Sequence, residues 1–344
     1  MQADAQRPNV AAMTLAADRH SYADYDDLLE DYYERGWTDG FPVVPPTAEK
    51  VERFLATARL APDQILGSVP TRAVVVTAEH AALNAIMAGC KPEYFPAVVA
   101  AVRAHLDEYG NCHSTTGTLS GAVQTVIVNG PIRNELGVAS GQGCFGPGFR
   151  ANATIGRALR LVIRNVCRAI PGFLDRASFS SPMRYSFCFG ENEEASAWEP
   201  LHVQRGYAAE QSTVTVHSFM SFVPASDVTS RTCEAIADSI VRTMRSKGIG
   251  GDHWLADEHN VVAVMGKEHH RYFIEAGWSK ADLQNYLWPR IHEPASGPDD
   301  RFCNIAKPEG ILVVAAGGAG MAETWLLLPH LARAITKVIE PAHA

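Results

Sequence analysis

Three apolar runs constrain this chain most. AVQTVIVNG (122–130) and GILVVAAGGAG (310–320) read as buried strands that end in glycine, and STVTVHSFMSF (212–222) as a third strand. Along the chain such strands alternate with helical stretches of about 10–20 residues, which favours an α/β fold with mixed or parallel sheets over all-α or all-β.

Other elements follow from local chemistry. Tyr22–Arg35 is an expected acidic helix stopped by Gly36, and the proline-pinned GWTDGFPVVPPT leads to a helix capped by Thr47. TRAVVVT is an expected strand, followed by a helix ending at Ala88-Gly89 and another from about Pro92. The order strand, Glu-His, Ala-Gly, helix, strand returns near the C-terminus, with Glu79-His80 matching Glu268-His269 and Ala88-Gly89-Cys90 matching Ala276-Gly277-Trp278. This implies two related α/β modules with a cleft between them: a flexible tail over 1–21, a first module over 22–200 and a second over 201–344.

Composition narrows the function. A net charge of −8 argues against a general nucleic-acid or anionic-membrane binder, and 47% hydrophobic residues leave ample core for a globular fold. The first twenty residues lack a secretory signal pattern and no run reaches the ~18 apolar residues of a membrane span, so a cytoplasmic location is expected. Seven scattered cysteines without a CxxC pair predict free thiols or ligands.

GPGFRANATIGRALRLVIRNV (146–166) carries the clearest ligand signal. Helical spacing puts Ile155, Ala158, Leu159, Val162, Ile163 and Val166 on one face, and Arg157, Arg160 and Arg164 on the other. No acidic residue occurs between Leu136 and Leu174, so the counter-charge comes from elsewhere: Glu191, Glu193, Glu194 and Glu199, another subunit, or a ligand. The helix entry, with Gly141, Gly143, Gly146, Gly148, Arg150, Asn152 and Thr154, is an expected anion site because amides and a positive dipole end gather there. Walker and dinucleotide patterns are absent. Asn129, Gly317 and Gly318, at strand ends, are expected to line the same site.

Cys112, His113 and Cys90 are the catalytic candidates, as thiol and acid/base. Cys112, His113 and Cys144 form a possible metal set, although their spacing fits no standard zinc or iron–sulfur pattern. The motifs ERGWTDGFPVVPPT, IMAGCKPEYFPAVVAAV, VIVNGPIRNELGV, FGPGFRANATIGRALRLVIRNV, YSFCFGENEE, WEPLHVQRG and ILVVAAGGAG resemble those of an uncharacterised bacterial family associated with UGSC-type (seleno)protein domains. That resemblance, covering about residues 25–320, implies carbon–heteroatom bond chemistry with a thiol or selenol partner protein. The chain departs from the family pattern at Phe149, Cys112, Cys144 and Met321.

The expected function is thus an enzyme that breaks or forms a carbon–heteroatom bond in a small anionic substrate, of lyase, hydratase or thiol-assisted reductive type. A non-catalytic partner subunit and a metal-dependent hydrolase are the alternatives. The cofactor is open between none and a Cys/His-bound metal, and the Arg face predicts a homo-oligomer.

Overall fold

The computed structural model describes residues 13–250, 259–294, 301 and 303–340. In chain order the elements are α1 (Tyr25–Glu34), α2 (Ala48–Ala58), β1 (Ile65–Val69), β2 (Val74–Thr77), α3 (Ala78–Met87), α4 (Phe95–His105), α5 (Cys112–Thr116) and β3 (Val123–Asn129). They continue with α6 (Ile132–Leu136), α7 (Arg150–Leu161), β4 (Cys188–Gly190), α8 (Leu201–Gln204), β5 (Thr213–Ser226) and α9 (Cys233–Ser246). The last are β6 (Val261–Met265), α10 (Lys267–Glu275), α11 (Lys280–Ile291), β7 (Ile311–Ala315), β8 (Glu323–Pro329) and β9 (Ile335–Val338). The protein is α/β with a mixed sheet. Caps fall where side-chain chemistry puts them: Asp24 accepts from Asp27 N–H, and Thr47 from Lys50 N–H.

Seven strands form the main sheet, in the order β4-β3-β5-β8-β6-β7, with β9 on β5. β3 and β4 are parallel, as are β6 and β7, while β5 and β8 run antiparallel to their neighbours. Each half therefore repeats one connection: a strand, a helical crossover, a parallel neighbour, and an antiparallel return on the other side of the first strand. The halves β3–β4–β5 and β6–β7–β8 meet at the β5–β8 pairing.

This repeat is not the one the sequence suggested. That match aligned β2 with β6, but β2 pairs only with β1 in a separate two-stranded sheet. Local periodicity reports element type, and pairing is decided elsewhere. The main sheet also crosses the expected 200/201 boundary, so strands of both expected modules share one sheet.

The edges of that sheet come together. Asn192 N–H donates to Ala315 O (2.7 Å), while Ala139 O and Ser140 O accept from Gly190 N–H (3.0 Å) and Gly317 N–H (2.8 Å). These bonds tie the segments that follow β4 and β7 to one another at one end of the sheet. Alternation divides the core accordingly: Val123, Ile127, Phe189, Phe219, Val262, Val264, Leu312, Val314 and Leu327 cluster inside. Val126, Val128, Val214 and Val216 turn to α2–α4 and α7, and Val261, Ala263, Val313 and Leu326 turn to α9–α11.

The tail expectation holds less of the chain than proposed. Residues 1–12 lie outside the described residues, but Ala16 and Ala17 N–H donate to the Glu79 carboxylate at 2.9 and 3.0 Å, and Met13 and Leu15 pack on the core.

Candidate functional site

A cavity of about 250 Å³ lies outside the C-terminal ends of β6 and β7. One wall is Gln142–Gly146, and the other is built from Gly266, Ala316–Ala319, Met321, Glu323 and Trp325. Strand ends in α/β sheets leave such room because loops, not ladders, continue from them. Glycine is required here: Gly317 has φ +92°, and a Cβ on Gly318 would lie 2.5 Å from Gln142 Cβ.

Asn152 fixes the loop side. Its Nδ2 donates to Ala139 O (3.0 Å) and Cys144 O (3.2 Å), and its Oδ1 accepts from Ala139 N–H (2.8 Å). This holds the Cys144 thiol against the cavity. Burial pushes that thiol up to about 11, against a smaller opposing effect of the backbone at Gly317, Cys144 and Phe145. Near neutral pH it is a protonated donor.

Glu323, at the start of β8, is half-buried, and among the described residues no hydrogen bond or ion pair holds its carboxylate. Trp325 is stacked on Phe222 at 4.2 Å, which makes a rigid floor. Gly266 N-caps α10, whose side-chain-free cap leaves first-turn amides and the positive dipole end beside the cavity. The amides of Gly318 and Ala319 likewise have no partner among the described residues.

The matching end of the other half is filled. Outside β3 and β4, the Glu191 carboxylate accepts from Asn129 Nδ2 (2.6 Å), Leu201 N–H (2.6 Å) and Lys280 Nζ (2.7 Å). Arg133 donates to Glu191 O (2.7 Å) and to the Glu194 carboxylate (2.9 Å), and its Nε lies 3.1 Å from Glu193. Glu191, Lys280 and Arg133 are all buried.

The expected site residues divide. Gly146, Gly317 and Gly318 line the cavity together with Cys144, and Asn152 supports it. Gly148 (φ +111°) belongs to the turn into α7. Arg150 is turned away, with Nε and Nη2 donating to Gly89 O, and Thr154 bonds back to Arg150 O. Asn129 belongs to the filled end. The expected anion site at the entry of α7 is therefore not assembled, because Asn152 holds the loop and Arg150 serves a turn.

The catalytic trio is not brought together either. Successive side chains diverge: His113 is exposed with Nδ1 2.8 Å from Thr71 Oγ1, whereas Cys112 is buried. A hydrogen bond with Cys167 and the neighbouring His105 hold the Cys112 thiol well below its usual value. Cys90 donates to Thr154 O (3.3 Å), and burial pushes it up to about 12. Among the described residues no group of three His, Cys, Asp or Glu side chains could hold a metal, so Cys112, His113 and Cys144 do not form the expected set.

The arginine face is corrected as well. Arg157 pairs with Asp39 (2.7 Å), and Arg160 is buried, donating to Arg184 O and Gln124 Oε1. The acidic stretch at 191–194 serves Arg133 and Lys280 instead. Glu323, Gln142 and Trp325 were missed; their only sequence signal is proximity to a glycine-rich strand end.

The sequence matches no protein-family model, and a search among curated proteins finds no significant relative. No helix among the described residues is long and apolar enough to cross a membrane.

Proposed function

We propose that the glycine-lined cavity is the active site of an enzyme that breaks or forms a carbon–heteroatom bond in a small anionic molecule. The observation that carries this reading is the pairing, in one cavity, of a free carboxylate with a neutral thiol beside unpartnered amides. The amides of Gly318 and Ala319 and the α10 terminus suit a substrate carboxylate. Glu323 takes the proton from the adjacent carbon, and the carbon–heteroatom bond breaks with its electron pair going to the heteroatom.

Cys144 supplies the proton that the leaving group needs. The resulting thiolate is favoured by the nearby backbone of the glycine loop, and the proton on Glu323 returns to it to reset the site. The products are an unsaturated acid and the protonated leaving group. The reverse sequence is an addition.

The test is proton exchange into β-hydroxy, β-amino and β-thio carboxylates in deuterated water, followed by NMR. Wild-type protein exchanges the α-proton of at least one, and Glu323→Gln loses ~10²-fold or more of that rate. Cys144→Ala retains exchange but loses elimination. Equal elimination by all three proteins contradicts the proposal.

A further inference from the structure

A second cavity, of about 390 Å³, lies beside the C-terminal half of α7 and is lined by Asp39, Arg160, Arg164, Asp175, Phe179, Arg184 and Tyr185 among others. Three guanidinium groups from two chain segments enter it. Asp39 is already engaged by Arg157, whose Nε and Nη2 both reach its carboxylate at 2.8 and 2.7 Å. Counting Arg157, four arginines face two aspartates, which leaves two positive charges without counter-charge among the described residues.

The donors are as unbalanced as the charges. Arg184 Nη2 lies 2.7 Å from Asp175 Oδ2, yet among the described residues its Nε and Nη2 make no aligned hydrogen bond and the buried Arg164 Nη1 has no hydrogen-bond partner. Buried guanidinium N–H groups are costly to leave unpaired. Arg160 reflects the same excess: burial, and then the Arg184 charge, push its guanidinium down to about 9.

The mouth has a different character. Phe179 is 98% exposed and Tyr185 46% exposed, with Phe41 set against Tyr185 at 4.6 Å. Exposed aromatic rings beside a cationic pocket suit a ligand with an apolar body and an anionic head.

We infer that this cavity binds a phosphate monoester, its phosphoryl group among Arg160, Arg164 and Arg184 and its organic part against Phe179 and Tyr185. A tetrahedral dianion matches both the residual charge and donors that arrive from several directions. A carboxylate offers one charge and two oxygens, and leaves the balance open.

The test is calorimetric titration of the full chain with phenyl phosphate, inorganic phosphate and benzoate, with ionic strength held constant by sodium chloride. Phenyl phosphate is expected to bind saturably at one site, more tightly than inorganic phosphate and at least about tenfold more tightly than benzoate. Arg164→Gln weakens both phosphates about tenfold or more, because one charge-assisted donor is lost. Phe179→Ala removes the advantage of phenyl over inorganic phosphate. Thermal melting checks that each variant is folded, and Arg184→Lys replaces Arg164→Gln if that variant is not. Absence of saturable binding, benzoate binding as tightly as phenyl phosphate, or unchanged affinity in the folded arginine variant overturns the inference.

Discussion

The two halves of the sheet place equivalent strand ends in opposite chemical states. Outside β3 and β4, Glu191, Lys280, Arg133 and Asn129 fill the space with a buried ionic network. Outside β6 and β7, Gly266, Gly317 and Gly318 leave a cavity into which Cys144 and Glu323 face. One connection, used twice, gives a sealed end that holds the fold and an open end fit for a ligand. The difference lies in side-chain volume and pairing, since strand order and direction are the same in both.

The largest expected effect breaks the sealed end. Lys280→Ala leaves the Glu191 carboxylate buried without its cation, at a cost of about 3–5 kcal/mol in urea unfolding. Glu323→Gln at the open end changes stability by no more than about 0.5 kcal/mol, because no pairing is lost. Similar costs for the two variants would erase the distinction.

Filling the open end comes next. Gly318→Ala drives a methyl group against Gln142 and is expected to cost about 1–3 kcal/mol while closing part of the cavity. Crystallography and chemical denaturation of the variant read both effects. Asn152→Ala removes three hydrogen bonds from the loop wall, at about 1–3 kcal/mol, and hydrogen exchange over residues 139–146 should rise more than elsewhere.

The smallest effect is electrostatic. A hydrogen bond from Arg133 holds the Glu194 carboxyl down at about 2, against 4.5 ordinarily. Its contribution is therefore present above about pH 4.5 and lost as pH falls through about 2. The Glu194 side chain is 59% exposed, so screening keeps this below about 1 kcal/mol. The stability difference between wild type and Glu194→Gln should shrink across that window; a difference independent of pH would remove Glu194 from the network.

Much of the fold was legible because buried strands and capped helices carry local signals. β3 is buried throughout, as AVQTVIVNG suggests, and Thr47 caps α2. β4, with only three residues, has too little pattern to announce itself, and the pairing of β2 with β1 depends on contacts that periodicity does not encode. The site was half legible. Glycines at strand ends pointed to Gly317 and Gly318, whereas the residue types of Cys112 and His113 suggested chemistry without showing where their side chains point. Arg160 read as an exposed charge on the helical wheel, yet Gln124 and the backbone at Arg184 cover it.

The most direct test of the open-end assignment is the order in which the seven cysteines react with iodoacetamide in the folded protein, read by peptide mass spectrometry. All seven are buried, and Cys144 alone lines the cavity between the glycine loop and β7. The account predicts that Cys144 is alkylated first, as pH rises toward about 11, with the other six protected until the protein unfolds. Earlier reaction at Cys112 or Cys90, or simultaneous reaction of all seven, would contradict it.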